Sequence, residues 1–229
     1  ATLALKNDMS HNRNAFLDTS ISHVPPVILL TGGIATGKTF VSEYLGSLGA
    51  NIIDTDLLAR EVVSPGSERG RKTLALLSEK LGAEILMPDG NLDRAYLRKR
   101  IFSDVNAKKI LESILHPQIL SLTKERIAEP VSTYHLMVVP LLHKGSPYLN
   151  LADFTIGVEV FEAEQKKRLM ARDGITETLA DEMMASQISR LERRKLVDVI
   201  IINHDRGGVV RKLDQLHARI IHHTLGGRR

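Results

Sequence analysis

The sequence predicts an α/β fold: a parallel sheet with helices on both faces, carrying a helical insertion. Three observations support this. Short apolar runs alternate with amphipathic segments over most of the 229 residues, the pattern of strands joined by crossover helices. Between Ser64 and Arg126 the strand signals almost vanish while helical periodicity continues. The first apolar run, Val27 to Leu30, passes directly into the glycine-bearing stretch TGGIATGKT and then into a helix-periodic segment.

Val27 to Leu30 follows two prolines and is continuously apolar, as suits a strand buried on both faces. After the glycines, Phe40, Val41, Tyr44, Leu45 and Leu48 fall near helical spacing, with Gly49 as the stop signal. NIID is the second predicted strand. TDLLAREVV is a helix for which Thr55 or Asp56 is the expected cap. The helical insertion contains RKTLALLSEKLG, LDRAYLRKRIF and AKKILESILHPQILSLTKERI; Asp93 and Arg94 are expected to cap and begin a helix, and Pro117 to bend one. Strand character returns at Tyr134 to Leu142 and at Phe154 to Val160. A charged helix over Ala163 to Arg172, a turn, and a helix capped by Thr176 come next, then VDVIII as the last strand and a closing helix.

Gly32, four residues, then Gly37-Lys38-Thr39 is a phosphate-cradling pattern. Small residues let successive N–H groups turn toward phosphate oxygens, and the following helix adds its positive end. Lys38 would reach the outer phosphates and Thr39 would offer its hydroxyl to Mg²⁺. A switch GTPase would carry Asp-x-x-Gly after a middle strand; here the late match is Asp205 to Gly208, past the last strand. A motor would end a strand in a carboxylate, where this chain has MVVP. These features favour a small kinase. Asp54 and Asp56 sit at a strand's carboxyl end, where open α/β sheets bind ligands. Asp56 is the candidate base for an acceptor hydroxyl, and from spacing alone the base and helix-cap readings stand level.

LTGGIATGKT, IIDTDLLAREVVSPGS, DGNLDRAYLRKRIF, LHPQI, VVPLL and RDGIT with QISRLERRKLVDVIIIN, in this order over Val27 to Ile220, resemble the dephospho-CoA kinase family. The resemblance implies a P-loop kinase-type fold with a nucleotide core, a helical acceptor-binding domain and a lid. It implies transfer of the γ-phosphate of ATP to the ribose 3′-hydroxyl of dephospho-coenzyme A, the last step of coenzyme A synthesis. The corresponding division is an extension at 1–24, a core at 25–63, 132–162 and 196–225, an acceptor domain at 64–131 and a lid at 163–195. Asp56 takes the catalytic aspartate's position. Thr31, Gly32, Gly33, Ile34, Ala35, Thr36, Gly37, Lys38 and Thr39 take the ATP site, with Mg²⁺ at Thr39. Arg168 and Arg172, four apart on one helix face, are the arginines expected to close over the transferred phosphate; Arg190 and Arg193 are secondary candidates for phosphate or adenine. His116 is expected to be a hydrogen-bonded packing residue, or at most an acceptor contact. The chain departs from the family pattern at Ala35 in the loop, at His143 and Lys144 after VPLL, and at Ile202.

Composition bounds the rest. Without cysteine, disulfides and thiolate chemistry are excluded. A net charge of +4 would suit polyanions, yet 27 acidic residues are interleaved with the basic ones and aromatics are 4%, too few for a stacking platform. A nucleotide-binding regulator or nucleic-acid partner therefore ranks behind dephospho-CoA kinase, and behind a kinase of another small metabolite. No apolar run reaches the roughly 20 residues of a membrane span, and residues 1–24 read as a polar extension rather than a signal peptide. The expectation is a cytoplasmic enzyme, monomeric or weakly self-associating, with no nucleic-acid or membrane partner.

Overall fold

The computed structural model describes residues 25–226, so the extension read at 1–24 lies outside the described residues. The chain divides into two compact units, Ala1–Ile53 with Glu129–Arg229, and Asp54–Ala128.

The first unit holds the sheet. Its strands are β1 (Val27–Gly32), β2 (Asn51–Asp54), β3 (His135–Val138), β4 (Phe154–Glu159) and β5 (Val199–Ile202), in the order β2-β3-β1-β4-β5. β1 runs parallel to β3 from Val27 opposite His135 to Leu30 opposite Val138, and parallel to β4 from Ile28 opposite Phe154 to Gly32 opposite Val158. All six residues of β1 are buried, as a central strand covered on both faces requires. Ile28 and Leu30 join Leu136, Val138, Ile156 and Val158 against Val41 and Leu45 of α1 (Lys38–Ser47) and Val209, Leu213 and Ile220 of α9 (Arg206–Gly226). Each fully buried Leu, Ile or Val contributes about 1.5–3 kcal/mol, so this cluster anchors the strand that carries the glycine loop. The same unit contains α6 (Glu162–Asp173), α7 (Glu177–Ala185) and α8 (Arg190–Lys195).

The second unit is helical: α2 (Thr55–Glu61), α3 (Glu68–Leu81), α4 (Arg94–Ser103) and α5 (Val105–Ala128). Leu74, Leu77 and Leu81 of α3 are buried, as are Leu97 of α4 and Leu111, Ile119 and Leu122 of α5. α2, α3 and α4 all pack on α5.

Several local expectations hold. Thr176 accepts from the Leu179 N–H at 3.3 Å and caps α7; Asp93 accepts from the Tyr96 N–H at 2.8 Å and caps α4. Others do not. The cap of α2 is Asp54, neither Thr55 nor Asp56: its Oδ1 accepts from the N–H groups of Asp56 at 2.8 Å and Leu57 at 3.3 Å. The run read as a strand from Tyr134 to Leu142 is strand only over His135–Val138, because Pro140 has no N–H to extend a ladder. Pro117 does stand inside a helix, as expected, and α5 continues through it. Ser113, His116 and Pro117 are all exposed there, so the carbonyl the proline leaves without its helical donor is on the solvent side. That exposure also overturns the reading of His116 as a packing residue.

Candidate active site

β1 delivers Gly32 to the sheet's carboxyl edge, and the chain then turns back as a loop into α1. Ala35, at φ 55°, and Gly37, at φ 94°, both take the left-handed conformation, which reverses peptide directions and turns successive N–H groups to one side. Ala35 stands where the family pattern carries glycine, and a left-handed L-residue costs about 1–2 kcal/mol; the turn is kept at that cost. Gly37 is the N-cap of α1 and supplies no side-chain acceptor. The first N–H groups of α1 are thereby left to an external anion rather than to a cap.

Side chains brace the loop from within and without. The Lys38 ammonium folds back across it and donates to the carbonyls of Gly32 and Gly33, both at 2.9 Å. Thr36 is buried, and its hydroxyl donates to the Gly33 carbonyl at 2.9 Å. Gln165 of α6 donates to the Ile34 carbonyl at 2.8 Å, while Gln187, before α8, accepts from the Ile34 N–H at 2.9 Å. Asn203, just past β5, donates to the Thr36 carbonyl at 2.9 Å. The loop is thus held at four carbonyls and an amide before any ligand arrives, which reduces the ordering cost of binding.

Gly33 lets two side chains approach the loop: a Cβ there would lie 2.8 Å from Gln165 Nε2 and 3.3 Å from an Arg193 guanidinium nitrogen, so both would have to shift. Gly37 is required twice over, by its positive φ and because a Cβ would collide with the Asn203 amide. Gly37→Ala is expected to lower unfolding stability by about 2 kcal/mol, summing left-handed strain and displacement of Asn203. Denaturant unfolding reads this directly, and an unchanged midpoint would contradict the geometry.

The model of the dephospho-CoA kinase family matches residues 26–207, from the start of β1 through the loop to the beginning of α9. The chain belongs to the dephospho-CoA kinase family. A dephospho-CoA kinase of Yersinia pseudotuberculosis is 40% identical over 196 residues, covering 85% of this chain and 93% of that one. The Escherichia coli K12 dephospho-CoA kinase is 36% identical over the same shares. Among solved structures, the Campylobacter jejuni dephospho-CoA kinase has a TM-score of 0.64 at 26% identity, with 85% of this chain and 96% of that one covered. A Thermus thermophilus protein has a TM-score of 0.71 at 27% identity, with 86% and 98% covered.

The remaining candidate residues of this dephospho-CoA kinase family member sit as follows. Thr39 is exposed at the second position of α1. Thr31 is fully buried in β1, opposite Gly157. Asp56 is exposed in the first turn of α2, with the capping role taken by Asp54. Arg168 donates to Glu164 on its own helix at 2.9 Å, and Arg172 forks onto Asp173 at 2.7 and 2.9 Å. That pairing raises the Arg172 pKa and lowers that of Asp173. Asp205 accepts from the N–H groups of Gly207 at 3.3 Å and Gly208 at 2.7 Å, so the late Asp-x-x-Gly is a helix start. Lys144 is exposed.

Sequence reasoning missed Gln165, Gln187 and Asn203. Their contacts with the loop span 131, 153 and 167 residues of chain, and no spacing rule reaches that far.

Proposed function

We propose that the chain transfers the γ-phosphate of ATP to the ribose 3′-hydroxyl of dephospho-coenzyme A, giving coenzyme A and ADP. Family membership supports the reaction, and the loop is the observation that carries the mechanism: a pre-braced turn with Lys38 drawn across it, opening into an uncapped helix. The loop and the start of α1 hold the β- and γ-phosphates, and Lys38 shifts from the Gly32 and Gly33 carbonyls toward the charge developing on the γ-phosphoryl oxygens. Asp56 accepts the proton of the 3′-hydroxyl as its oxygen bonds to the γ-phosphorus. The bond from that phosphorus to the bridging oxygen breaks, and ADP leaves.

Residues 64–131 present the acceptor and residues 163–195 act as the lid, with Arg168 or Arg172 exchanging its carboxylate partner for phosphate as water is excluded. Among the described residues no three of His, Asp and Glu gather into a metal site. Mg²⁺ at phosphates keeps waters and takes one or two protein ligands, a demand that the single exposed hydroxyl of Thr39 fits. Held there by the Thr39 hydroxyl, Mg²⁺ would supply positive charge that offsets the charge of the phosphates. Among the described residues no helix is long and apolar enough to cross a membrane.

An acceptor panel tests the assignment. Offered ATP with dephospho-coenzyme A, AMP or a sugar acid, the chain is expected to release ADP many-fold faster only with the first. Equal release with AMP or a sugar acid would replace this reading with a kinase of another small metabolite.

A further inference from the structure

Gln165 of α6 reaches the middle of the glycine loop. Its amide nitrogen donates to the Ile34 carbonyl at 2.8 Å, and its amide oxygen accepts from Arg190 Nη2 at 3.4 Å. Arg190 in turn donates to the Val160 carbonyl at 2.8 Å, just past β4. A guanidinium at one end and a carbonyl at the other leave a single way round for this amide, since only its oxygen accepts and only its nitrogen donates. The side chain is 7% exposed and passes over Gly33, where a Cβ would lie 2.8 Å from its nitrogen. From the other side Gln187, in the turn between α7 and α8, accepts from the Ile34 N–H at 2.9 Å. Both peptides that flank Ile34 are thereby held by glutamines.

The peptide that Gln165 holds leads into Ala35, whose φ of 55° an L-residue adopts only under strain. Turning that peptide over changes ψ of Ile34 and φ of Ala35 together, and would bring Ala35 back to the negative φ that its Cβ favours. It would also swing the Ala35 N–H away from the side its neighbours share and put the Ile34 carbonyl oxygen there, against an incoming phosphate. Glycine has no such pull toward the flipped form. The family pattern carries glycine at this position, so alanine places a demand on the loop that the pattern does not. The bond from Gln165 Nε2 opposes the flip directly, because the carbonyl that would move is the one it holds. Burial strengthens the hold, since a buried amide nitrogen that loses its acceptor carries a desolvation cost of its own.

We infer that Gln165 is a positioning residue for phosphoryl transfer: it keeps the peptide between Ile34 and Ala35 in the orientation that accepts the nucleotide's phosphates, and this chain depends on it because residue 35 is alanine. The inference rests on the loop being the nucleotide site. Bound phosphate itself holds the peptide, so the effect belongs to the free loop. Without Gln165 only a fraction of the molecules is ready, and apparent ATP affinity falls by that fraction while turnover at saturating ATP is kept.

Calorimetric titration of the full chain with ATP, in wild type, Gln165→Met, Ala35→Gly and the double variant, tests this, with kcat measured at saturating ATP. Gln165→Met keeps an unbranched side chain of similar length and lacks both hydrogen-bonding groups. It is expected to weaken ATP binding by about 10-fold, near the upper range for one neutral hydrogen bond, and to leave kcat unchanged. Adding Ala35→Gly should recover most of that loss, a non-additivity that the loss of a simple structural brace does not produce. Gln187→Met, whose peptide does not enter Ala35, should lose the same affinity with alanine or glycine at position 35. Wild-type ATP affinity in Gln165→Met would overturn the inference. So would equal losses from Gln165→Met with alanine and with glycine at position 35, or a loss confined to kcat. Should Gln165→Met fail to fold, Gln165→Glu carries the same comparison, because it keeps an acceptor for Arg190 and has no donor for Ile34. Wild type binding no ATP at all would overturn the nucleotide-site reading, and this inference with it.

Discussion

Lys38→Ala is expected to lower turnover by about 10²–10³-fold, the loss typical when one pre-placed donor to a transition-state oxyanion is removed. The ammonium is held within 2.9 Å of two loop carbonyls, so it lies across the loop and exchanges those carbonyls for the γ-phosphoryl oxygens. Its charge matters more as the γ-phosphoryl charge spreads than in the ground state, and the effect should therefore fall mainly on kcat. Those two carbonyls also depend on it, so the unfolding midpoint should be measured in parallel. A variant that folds, binds ATP and turns over at the wild-type rate would remove the loop from the chemistry.

Asp56→Asn is expected to lower kcat by about 10²–10⁴-fold, the usual contribution of a positioned general base, with the KM for ATP little changed. The substitution leaves the helix cap in place. The cap of α2 is supplied by the Asp54 side chain to the backbone N–H of residue 56, which asparagine keeps. The change alters a first-turn charge worth about 0.3–1 kcal/mol to the helix and leaves its start in place. Steady-state rates over a range of ATP and dephospho-coenzyme A concentrations separate the two parameters. Full turnover by Asp56→Asn would return the residue to a passive place in the helix.

How much of this could be read from the sequence varied with the range of the interaction responsible. The glycine loop was legible because its chemistry is local: a buried strand, small residues at fixed offsets, a lysine and a hydroxyl, then a helix. The caps at Asp93 and Thr176 were legible for the same reason, each bonding an N–H three residues on. The cap of α2 was misread by one or two positions because three consecutive residues, Asp54, Thr55 and Asp56, are all good capping types, and only the bond from Asp54 decides among them. His116 was misread because the face a residue presents on a long helix depends on what that helix packs against.

The strand order was not legible at all. β1 pairs with β3 and β4, which lie far along the chain, while β2, its successor in sequence, lies beyond β3. The same long range hid the loop's supports. Nothing near Asn203 announces that its amide will meet the Thr36 carbonyl, and nothing near Arg193 announces Gly33. Arg168 and Arg172 drew attention through their helical spacing, yet the same four-residue logic that puts them on one face also puts Glu164 within reach of Arg168.

The most direct test of the central claim is the product itself. Purified chain is incubated with ATP, Mg²⁺ and 3′-dephospho-coenzyme A, ADP and coenzyme A are quantified together by chromatography, and Lys38→Ala serves as the blank. The account predicts coenzyme A and ADP in equal amounts, with ADP release falling to near the blank when the acceptor is left out. ADP formed at the same rate with and without acceptor, and no coenzyme A, would contradict it.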